Sequence, residues 1–158
     1  MTGFAAADLG SNIGGFVDCL LRRGTRKVYS VDTSYGTLAW RLRNDERVVV
    51  LERTNALHVE LPEPVDLVTV DVGWTPQARI LPAARRLLAP GGRILSLVKP
   101  QYEADREELA HGFVRPDALE RVLDRVRSAV RDLGFPETRW IECPLGGGER
   151  NREFFVLL

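Results

Sequence analysis

The chain reads Asp8-Leu9-Gly10-Ser11-Asn12-Ile13-Gly14-Gly15-Phe16 close to its first residue. An apolar run over 4–7 predicts a strand before this stretch, and the apolar spacing over 16–21 predicts a helix that Gly24 ends. A strand, a glycine turn and a helix in this order hold a ligand against the exposed amides of the helix N-terminus. The stretch therefore predicts a nucleotide-like binding site, although a turn that only reverses the chain would have the same pattern.

The glycine spacing differs from that of dinucleotide-binding proteins. Three residues separate Gly10 from Gly14, whereas G-x-G-x-x-G has one and then two. Asp8 stands two residues before the first glycine, where its carboxylate would meet a cationic ligand. S-adenosylmethionine carries an ammonium beside a sulfonium and has no pyrophosphate. The pattern therefore favours this cofactor over a nicotinamide dinucleotide.

Composition indicates one globular domain covering residues 1–158. The chain is 44% hydrophobic and 28% charged, and its formal net charge of zero offers no overall attraction for RNA or an anionic membrane. No apolar run approaches the roughly 18 residues of a membrane span, and no signal-peptide pattern is present. We therefore expect a cytoplasmic protein without membrane contact. Cys19 and Cys143 lack CxxC spacing and are expected to be buried free thiols. The sequence contains no recognisable metal-binding motif.

Strand and helix patterns alternate along the rest of the chain. Strands are predicted over 27–32, 47–51, 65–70, 93–98, 138–142 and 153–158. Helices are predicted over 35–42, from Thr75-Pro76 onward, and over 116–133, with a turn at 90–92 and a mobile surface loop over 101–115. Alternation of this kind predicts an α/β, Rossmann-like fold with a mostly parallel seven-stranded sheet. Because no helix separates the last two strands, the last strand should run antiparallel.

Polar residues follow the second and third predicted strands. Asp32 lies 24 residues after Asp8, near the interval of roughly 20 residues at which an acid binds ribose hydroxyls in this architecture. It could instead cap the next helix. Thr54 and Asn55 follow the strand over 47–51, at the edge where open α/β sheets bind ligands. The amide of Asn55 could meet an adenine edge or cap a turn.

Three further polar residues mark the ends of other strands. Asp71 and Lys99 each follow a predicted strand, and Glu153 begins the antiparallel one, so all three should meet at one edge of the sheet. A lysine between two carboxylates can take a proton from a ribose hydroxyl, which arginine cannot do. The chain has 20 arginines and only two lysines, which makes Lys99 notable. An ordinary ion pair at the strand ends is the alternative.

Several strings of residues resemble a known family, the FtsJ-like ribosomal RNA methyltransferases of the TlyA (hemolysin A) type. These strings lie at 8–16, 42–45, 52–56, 97–101 and 151–154, in order over nearly the whole chain. The resemblance implies S-adenosylmethionine-dependent methylation of a ribose 2′-hydroxyl in ribosomal RNA, with RNA and not DNA as the partner. It also implies a Lys-Asp-Lys-Glu tetrad, of which Asp71, Lys99 and Glu153 match the last three members.

The motif matches and the strand ends together give a set of expected cofactor contacts. These are Asp8, Gly10, Ser11, Gly14, Gly15, Phe16, Asp32, Thr54, Asn55 and Asp71. The family also has a first tetrad lysine and an N-terminal S4-type RNA-binding domain. Neither has a counterpart in residues 1–158. A homodimer or another partner is expected to cover a sheet face left exposed. The alternatives are a methyltransferase of the same fold for another acceptor, a non-catalytic S-adenosylmethionine-binding protein and a nicotinamide oxidoreductase.

Overall fold

A seven-stranded sheet forms the centre of the computed structural model, which describes residues 3–135, 139–144 and 151–158. The strands are β1 (Ala5–Leu9), β2 (Lys27–Val31), β3 (Val48–Leu51), β4 (Val65–Val70), β5 (Leu88–Val98), β6 (Leu109–Ala110), β7 (Phe113–Val114), β8 (Arg139–Glu142) and β9 (Phe154–Leu157). The helices are α1 (Gly15–Arg22), α2 (Trp40–Arg43), α3 (Gln77–Arg86) and α4 (Leu119–Asp132), with 3₁₀ turns over Pro100–Tyr102 and Arg106–Glu108.

The sheet has the predicted direction of strands. Its order is β3-β2-β1-β4-β5-β9-β8, and β6 and β7 form a separate two-stranded ribbon. Strands β1 to β5 pair in parallel, whereas β9 runs antiparallel to both β5 and β8. The carboxyl ends of β1 to β5 and the beginning of β9 consequently share one edge. The prediction of a mostly parallel sheet with a reversed last strand is confirmed.

Helices cover the two faces of the sheet with separate apolar clusters. One cluster lies beneath α3 and α4 and includes Val68, Ile80 and Leu123. The other lies beneath α1 and α2 and includes Val17, Val28 and Leu42. The predicted apolar stripe of the long helix is buried at Leu119, Val122, Leu123, Val126 and Val130, whereas its last member, Leu133, lies just beyond α4 and is half-buried. Among the described residues, no helix has the length and apolar character that crossing a bilayer requires.

Several local predictions were wrong. The helix predicted over 35–42 is reduced to the single turn of α2, because Gly36 adopts a φ of +74° and interrupts it. Strand β3 is the sheet edge and only half-buried, although the continuous apolar, β-branched run over 47–51 is typical of a buried parallel strand. Strand β5 begins at Leu88 and includes the turn predicted at 90–92, with a register shift against β4. Cys19 is exposed, since it lies on the outer side of α1, whereas Cys143 is buried.

The segment 101–115 has regular structure, contrary to the predicted loop. Its two 3₁₀ turns precede the ribbon of β6 and β7. A capping box between Asp105 and Glu108 closes the second turn, and Arg125 of α4 donates to both carboxylate oxygens of Glu108, at 2.9 and 2.6 Å. Charge-assisted bidentate bonds of this kind fix a loop in one position. The glycines over 146–148, and Thr138 of the predicted sixth strand, lie outside the described residues.

Candidate active site

The glycine turn crosses the carboxyl ends of three adjacent strands. The amides of Gly10 and Ser11 both donate to the Val31 carbonyl, at 2.8 and 3.1 Å. Gly10 has a φ of +89°, and a side chain there would overlap the backbone carbonyl of Asp71. Only glycine therefore lets this turn lie directly against the end of β4. Gly14 caps α1 with a φ of +99°, and open space surrounds Gly15 at the first turn of the helix.

A cavity of about 480 Å³ opens at this edge of the sheet. Five predicted cofactor residues line it: Gly10, Asp32, Thr54, Asn55 and Asp71. The other lining side chains and backbone groups come from the same strand ends: Asn12, Val31, Thr33, Ser34, Thr37, Ala56, Leu57, Val72, Gly73, Trp74, Thr75, Ile80, Lys99 and Tyr102. Its charged lining therefore consists of two acids and one lysine.

Asp32 is held ionised at one end of the cavity. Burial raises the pKa of its carboxyl, but hydrogen bonds from neighbouring N–H groups outweigh burial and bring the pKa below its ordinary value. The amide of Asn12 donates to Oδ2 at 2.7 Å, and the amide of Ser34 donates to Oδ1 at 2.8 Å. An ionised acceptor at the end of a strand suits the hydroxyls of a ribose.

Lys99 and Asp71 form an ion pair at the other end of the cavity. Nζ of Lys99 lies 2.5 Å from Oδ1 of Asp71, and the two side chains are 19% and 30% exposed. Glu153 lies at the entry to β9, where Nε2 of Gln101 donates to its Oε1 at 3.4 Å. The end of β4, the end of β5 and the beginning of β9 therefore bring these three predicted residues to one edge of the sheet.

Asp8 lies inside β1, beneath the glycine turn. It is fully buried, and the Thr69 hydroxyl donates to its Oδ1 at 2.6 Å. Its Oδ2 is buried and has no hydrogen-bond partner among the described residues. Burial, opposed by the Thr69 hydrogen bond and reinforced by the charges of Asp71 and Asp32, raises the pKa of Asp8 to about 7. The carboxyl is therefore a buried group that is partly protonated near neutral pH.

Two aromatic rings border the cavity beside Lys99. Trp74 and Tyr102 have ring centroids 5.4 Å apart and planes inclined by 39°. The Trp74 side chain is 84% exposed, and its backbone adopts a φ of +53°. A large exposed ring on a backbone conformation that is rare outside glycine indicates a functional position. The aromatic pair extends the site outward from the lysine.

The remaining predicted contacts lie outside the lining of this cavity. The Ser11 hydroxyl donates to the backbone carbonyls of Asp8 and Val31, at 3.0 and 3.3 Å. The Phe16 ring packs edge-on against Phe155 of β9, with 6.2 Å between centroids. Asp8, Ser11, Gly14, Gly15 and Phe16 therefore stay predicted contacts. Asn55, which does line the cavity, also accepts a hydrogen bond from the Leu57 amide, as its turn-capping alternative requires.

Sequence reasoning overlooked several lining residues, Trp74 and Tyr102 among them. Both lie three residues beyond a predicted site residue, Asp71 and Lys99 respectively. The available signal was an aromatic placed just after a strand end that carries a charged group. Ser34 and Thr37 follow Asp32 in the same way.

The cavity fits S-adenosylmethionine better than a dinucleotide. Among the described residues that line it, two acids, Asp32 and Asp71, stand against one cation, Lys99, which favours a ligand with cationic groups and opposes a pyrophosphate. The close approach of Gly10 to β4 and the acceptor at Asp32 provide for an adenosine moiety. Sheet order, reversed β9 and this site together define the class of S-adenosylmethionine-dependent methyltransferases, whose solved members share the fold.

Comparison with known proteins identifies the family. The profile of the FtsJ-like methyltransferases matches residues 2–158, and the chain belongs to this family. It is 42% identical over 96% of its length to YqxC of Bacillus subtilis, which is named as an rRNA methyltransferase. It is 38% identical over its full length to the 16S/23S rRNA (cytidine-2′-O)-methyltransferase TlyA of Mycobacterium tuberculosis. The predicted family resemblance is confirmed.

A solved structure agrees with this assignment. A protein from Streptococcus thermophilus described as a hemolysin superposes with a TM-score of 0.92 at 35% identity, over 99% of this chain and 58% of that one. The chain spans 56% of the length of YqxC and 61% of that of TlyA. The similarity therefore concerns the methyltransferase part of longer relatives.

Proposed function

We propose that this chain transfers the methyl group of S-adenosylmethionine to a ribose 2′-hydroxyl of ribosomal RNA. The observation that carries the proposal is the Lys99–Asp71 ion pair at the rim of the cofactor cavity, with Glu153 at the same edge. A hydroxyl needs a base before it can act as a nucleophile, and Lys99 is the cationic side chain among the described residues that line the cavity; an amine, unlike a guanidinium, can serve as a base.

Different residues of the site bind the cofactor and transfer the proton. S-adenosylmethionine, when bound, supplies an electrophilic methyl carbon on a good leaving group. Once the Lys99 ammonium has released a proton to solvent, its amine accepts the proton of the 2′-hydroxyl while the oxygen–carbon bond forms and the carbon–sulfur bond breaks. Asp71 holds the resulting ammonium by the ion pair. Since the leaving group needs no activation, positioning and one base suffice.

The surroundings of Lys99 suit a nucleotide as the acceptor. The rings of Trp74 and Tyr102 can stack on a base whose ribose reaches Lys99. Farther along the rim, the guanidinium of Arg53 lies 4.4 Å from the centroid of the exposed Tyr35 ring, which offers RNA both a charge and a stacking surface. The relative TlyA is named for cytidine-2′-O methylation of 16S and 23S rRNA. A ribosomal substrate would place the chain in the cytoplasm.

Transfer of labelled methyl groups tests the proposal. Purified chain, labelled S-adenosylmethionine and total bacterial RNA are incubated, and the RNA is digested to nucleosides. Label on a ribose supports the proposal. Label on a base would show a methyltransferase for another acceptor, and absence of label with intact cofactor binding would favour a non-catalytic protein or a methyltransferase for a small acceptor.

Replacement of Asp32 is expected to weaken cofactor binding. Asp32→Ala removes the ionised acceptor proposed for the ribose hydroxyls, and we expect the dissociation constant of S-adenosylmethionine to rise about 10- to 100-fold. Titration calorimetry with wild type and variant measures it. Glu46→Gln, an exposed change just before the amino end of β3, is the control and should bind as wild type does. A change of less than twofold for Asp32→Ala would contradict the role.

We further propose that a second copy of the chain covers part of the sheet. On the α1 side of β8 and β9, Ile141 is 67% exposed beside its register partner Phe155, and Leu157 is only half-buried. Apolar side chains in one row favour association. Sedimentation at micromolar concentration should show a dimer that Ile141→Glu dissociates. A strictly monomeric wild type would contradict this assembly.

A further inference from the structure

We infer that Gln101 is a positioning residue, which orients Glu153 for the reaction of Lys99. The inference depends on the proposed function, because it assigns a role within the same site. Gln101 contributes nothing to the lining of the cofactor cavity, yet its side chain reaches the entry to β9. Its amide therefore acts on the site through Glu153 and without cofactor contact.

Glu153 depends on Gln101 for its orientation. Among the described residues, the side chain of Glu153 accepts one hydrogen bond, from Nε2 of Gln101 at 3.4 Å. Lys99 is engaged with Asp71 at 2.5 Å. The backbone of Glu153 is fixed as well, since its carbonyl accepts a hydrogen bond from the Cys143 amide at 2.8 Å. Backbone anchoring leaves the carboxylate free to rotate, and the amide of Gln101 favours the rotamer in which Oε1 faces Nε2.

The turn that carries Gln101 is itself held in place. Pro100 is buried at its start, and the Tyr102 amide donates to the Lys99 carbonyl at 2.9 Å. Two residues after Gln101, the carboxylate of Glu103 accepts a hydrogen bond from the Gln77 amide at the N-terminus of α3, at 2.8 Å. Burial raises the pKa of Glu103 and this hydrogen bond opposes the rise. The turn is therefore fastened both to β5 and to α3.

The other atom of the Gln101 amide gives the second observation. Oε1 is buried and has no hydrogen-bond partner among the described residues. A buried acceptor without a donor destabilises the fold, so its retention needs a reason. The reason that fits the geometry is that Nε2 has to face Glu153. A primary amide that donates to Glu153 necessarily directs its carbonyl oxygen away from it.

Two substitutions that nearly preserve the size of the Gln101 side chain, Gln101→Met and Gln101→Glu, separate the positioning role from a structural one. Gln101→Met removes the donor and also the unpaired acceptor, so the variant should fold with unchanged thermal stability or better. We expect kcat for RNA methylation to fall about 10- to 100-fold, as for the loss of an aligned catalytic group, while the dissociation constant of S-adenosylmethionine stays within twofold. Glu107→Met, an exposed change in the same segment, should leave kcat unchanged.

Gln101→Glu supplies the pH readout. When protonated, the introduced carboxyl donates a hydrogen bond to Glu153 as the amide does, whereas the ionised form repels it. Lowering the pH from 8.5 to 6 increases the protonated fraction of the introduced carboxyl. The activity of this variant relative to wild type should therefore rise by at least about fivefold over this range. A merely structural role would give a constant ratio.

The outcomes separate the two proposals. If Lys99→Ala abolishes methylation but Gln101→Met retains wild-type kcat, or if the activity ratio of Gln101→Glu does not change with pH, the positioning role is wrong and the proposed function stands. If Lys99→Ala retains activity, the role of Lys99 as the base is wrong, and if the wild-type chain transfers no methyl group to RNA, the proposed function itself fails.

Discussion

Lys99→Ala is expected to lower the rate of ribose methylation by about 100- to 10,000-fold, the usual contribution of a general base. The side chain that would accept the proton is removed, whereas the cofactor cavity keeps its glycine turn and Asp32. Single-turnover transfer of labelled methyl to RNA measures the rate. Calorimetry should show S-adenosylmethionine bound with an affinity within a few-fold of wild type, because Lys99 lies at the acceptor end of the cavity.

Lys99→Arg distinguishes a base from a structural cation. Arginine retains the charge that pairs with Asp71 but does not deprotonate, so this variant should be as inactive as the alanine variant. Lys27→Ala is the matched control, since Lys27 is the other lysine of the chain and pairs with Glu63, at 3.2 Å, at the opposite edge of the sheet. Activity of Lys99→Ala within tenfold of wild type would contradict the proposed mechanism.

Asp8→Asn is expected to remove a large pH dependence of stability. Burial raises the pKa of Asp8 from 3.8 to about 7 in the folded chain. Between these values the folded chain binds a proton that the unfolded chain has lost, so the free energy of unfolding falls as the pH rises. The fall corresponds to about 4 kcal/mol between pH 4 and pH 8, and it is complete once the pH exceeds about 7.

Denaturant unfolding of wild type and variant at several pH values measures this difference. The comparison is needed because other carboxyls act in the opposite direction. Arg26 lowers the pKa of Glu63 to about 2, and Arg125 lowers that of Glu108 to about 2. Arg47 does the same for Asp45. These three groups therefore stabilise the fold more as the pH rises. Asp124→Asn, an exposed change on α4, should follow wild type. Equal pH dependence in wild type and Asp8→Asn would show that Asp8 is ionised throughout.

Strand pattern and strand-end residues were predictable because they follow from burial and topology. The β-branched runs fixed β2, β3 and β4 to within one residue, and parallel strands must end at one edge, so Asp32, Asp71 and Lys99 were found from position alone. Glu153 required one more step, the inference that β9 is reversed. Each of these predictions used a rule that connects local sequence with the whole sheet.

Local conformation was harder to predict, because it depends on contacts between distant residues. The segment 101–115 is polar and weakly periodic, yet Arg125, from another element, clamps Glu108 and orders it. No pattern within the segment reports that contact. Trp74 was missed as a lining residue for a similar reason. Its position depends on a left-handed backbone beyond β4 and on Tyr102 from a different loop.

The place of β9 in the sheet has a consequence for synthesis on the ribosome. This strand follows β8 in the chain but lies between β5 and β8, with its residues Phe154 and Leu157 paired to both neighbours. Strand β8 therefore leaves the exit tunnel first and has no partner until β9 also emerges. Such long-range pairing is slow and exposes strand edges meanwhile. Because Glu153 arrives with β9, the cofactor cavity can form before the last of the three strand-end residues is in place, and the proposed activity toward RNA would require that last pairing.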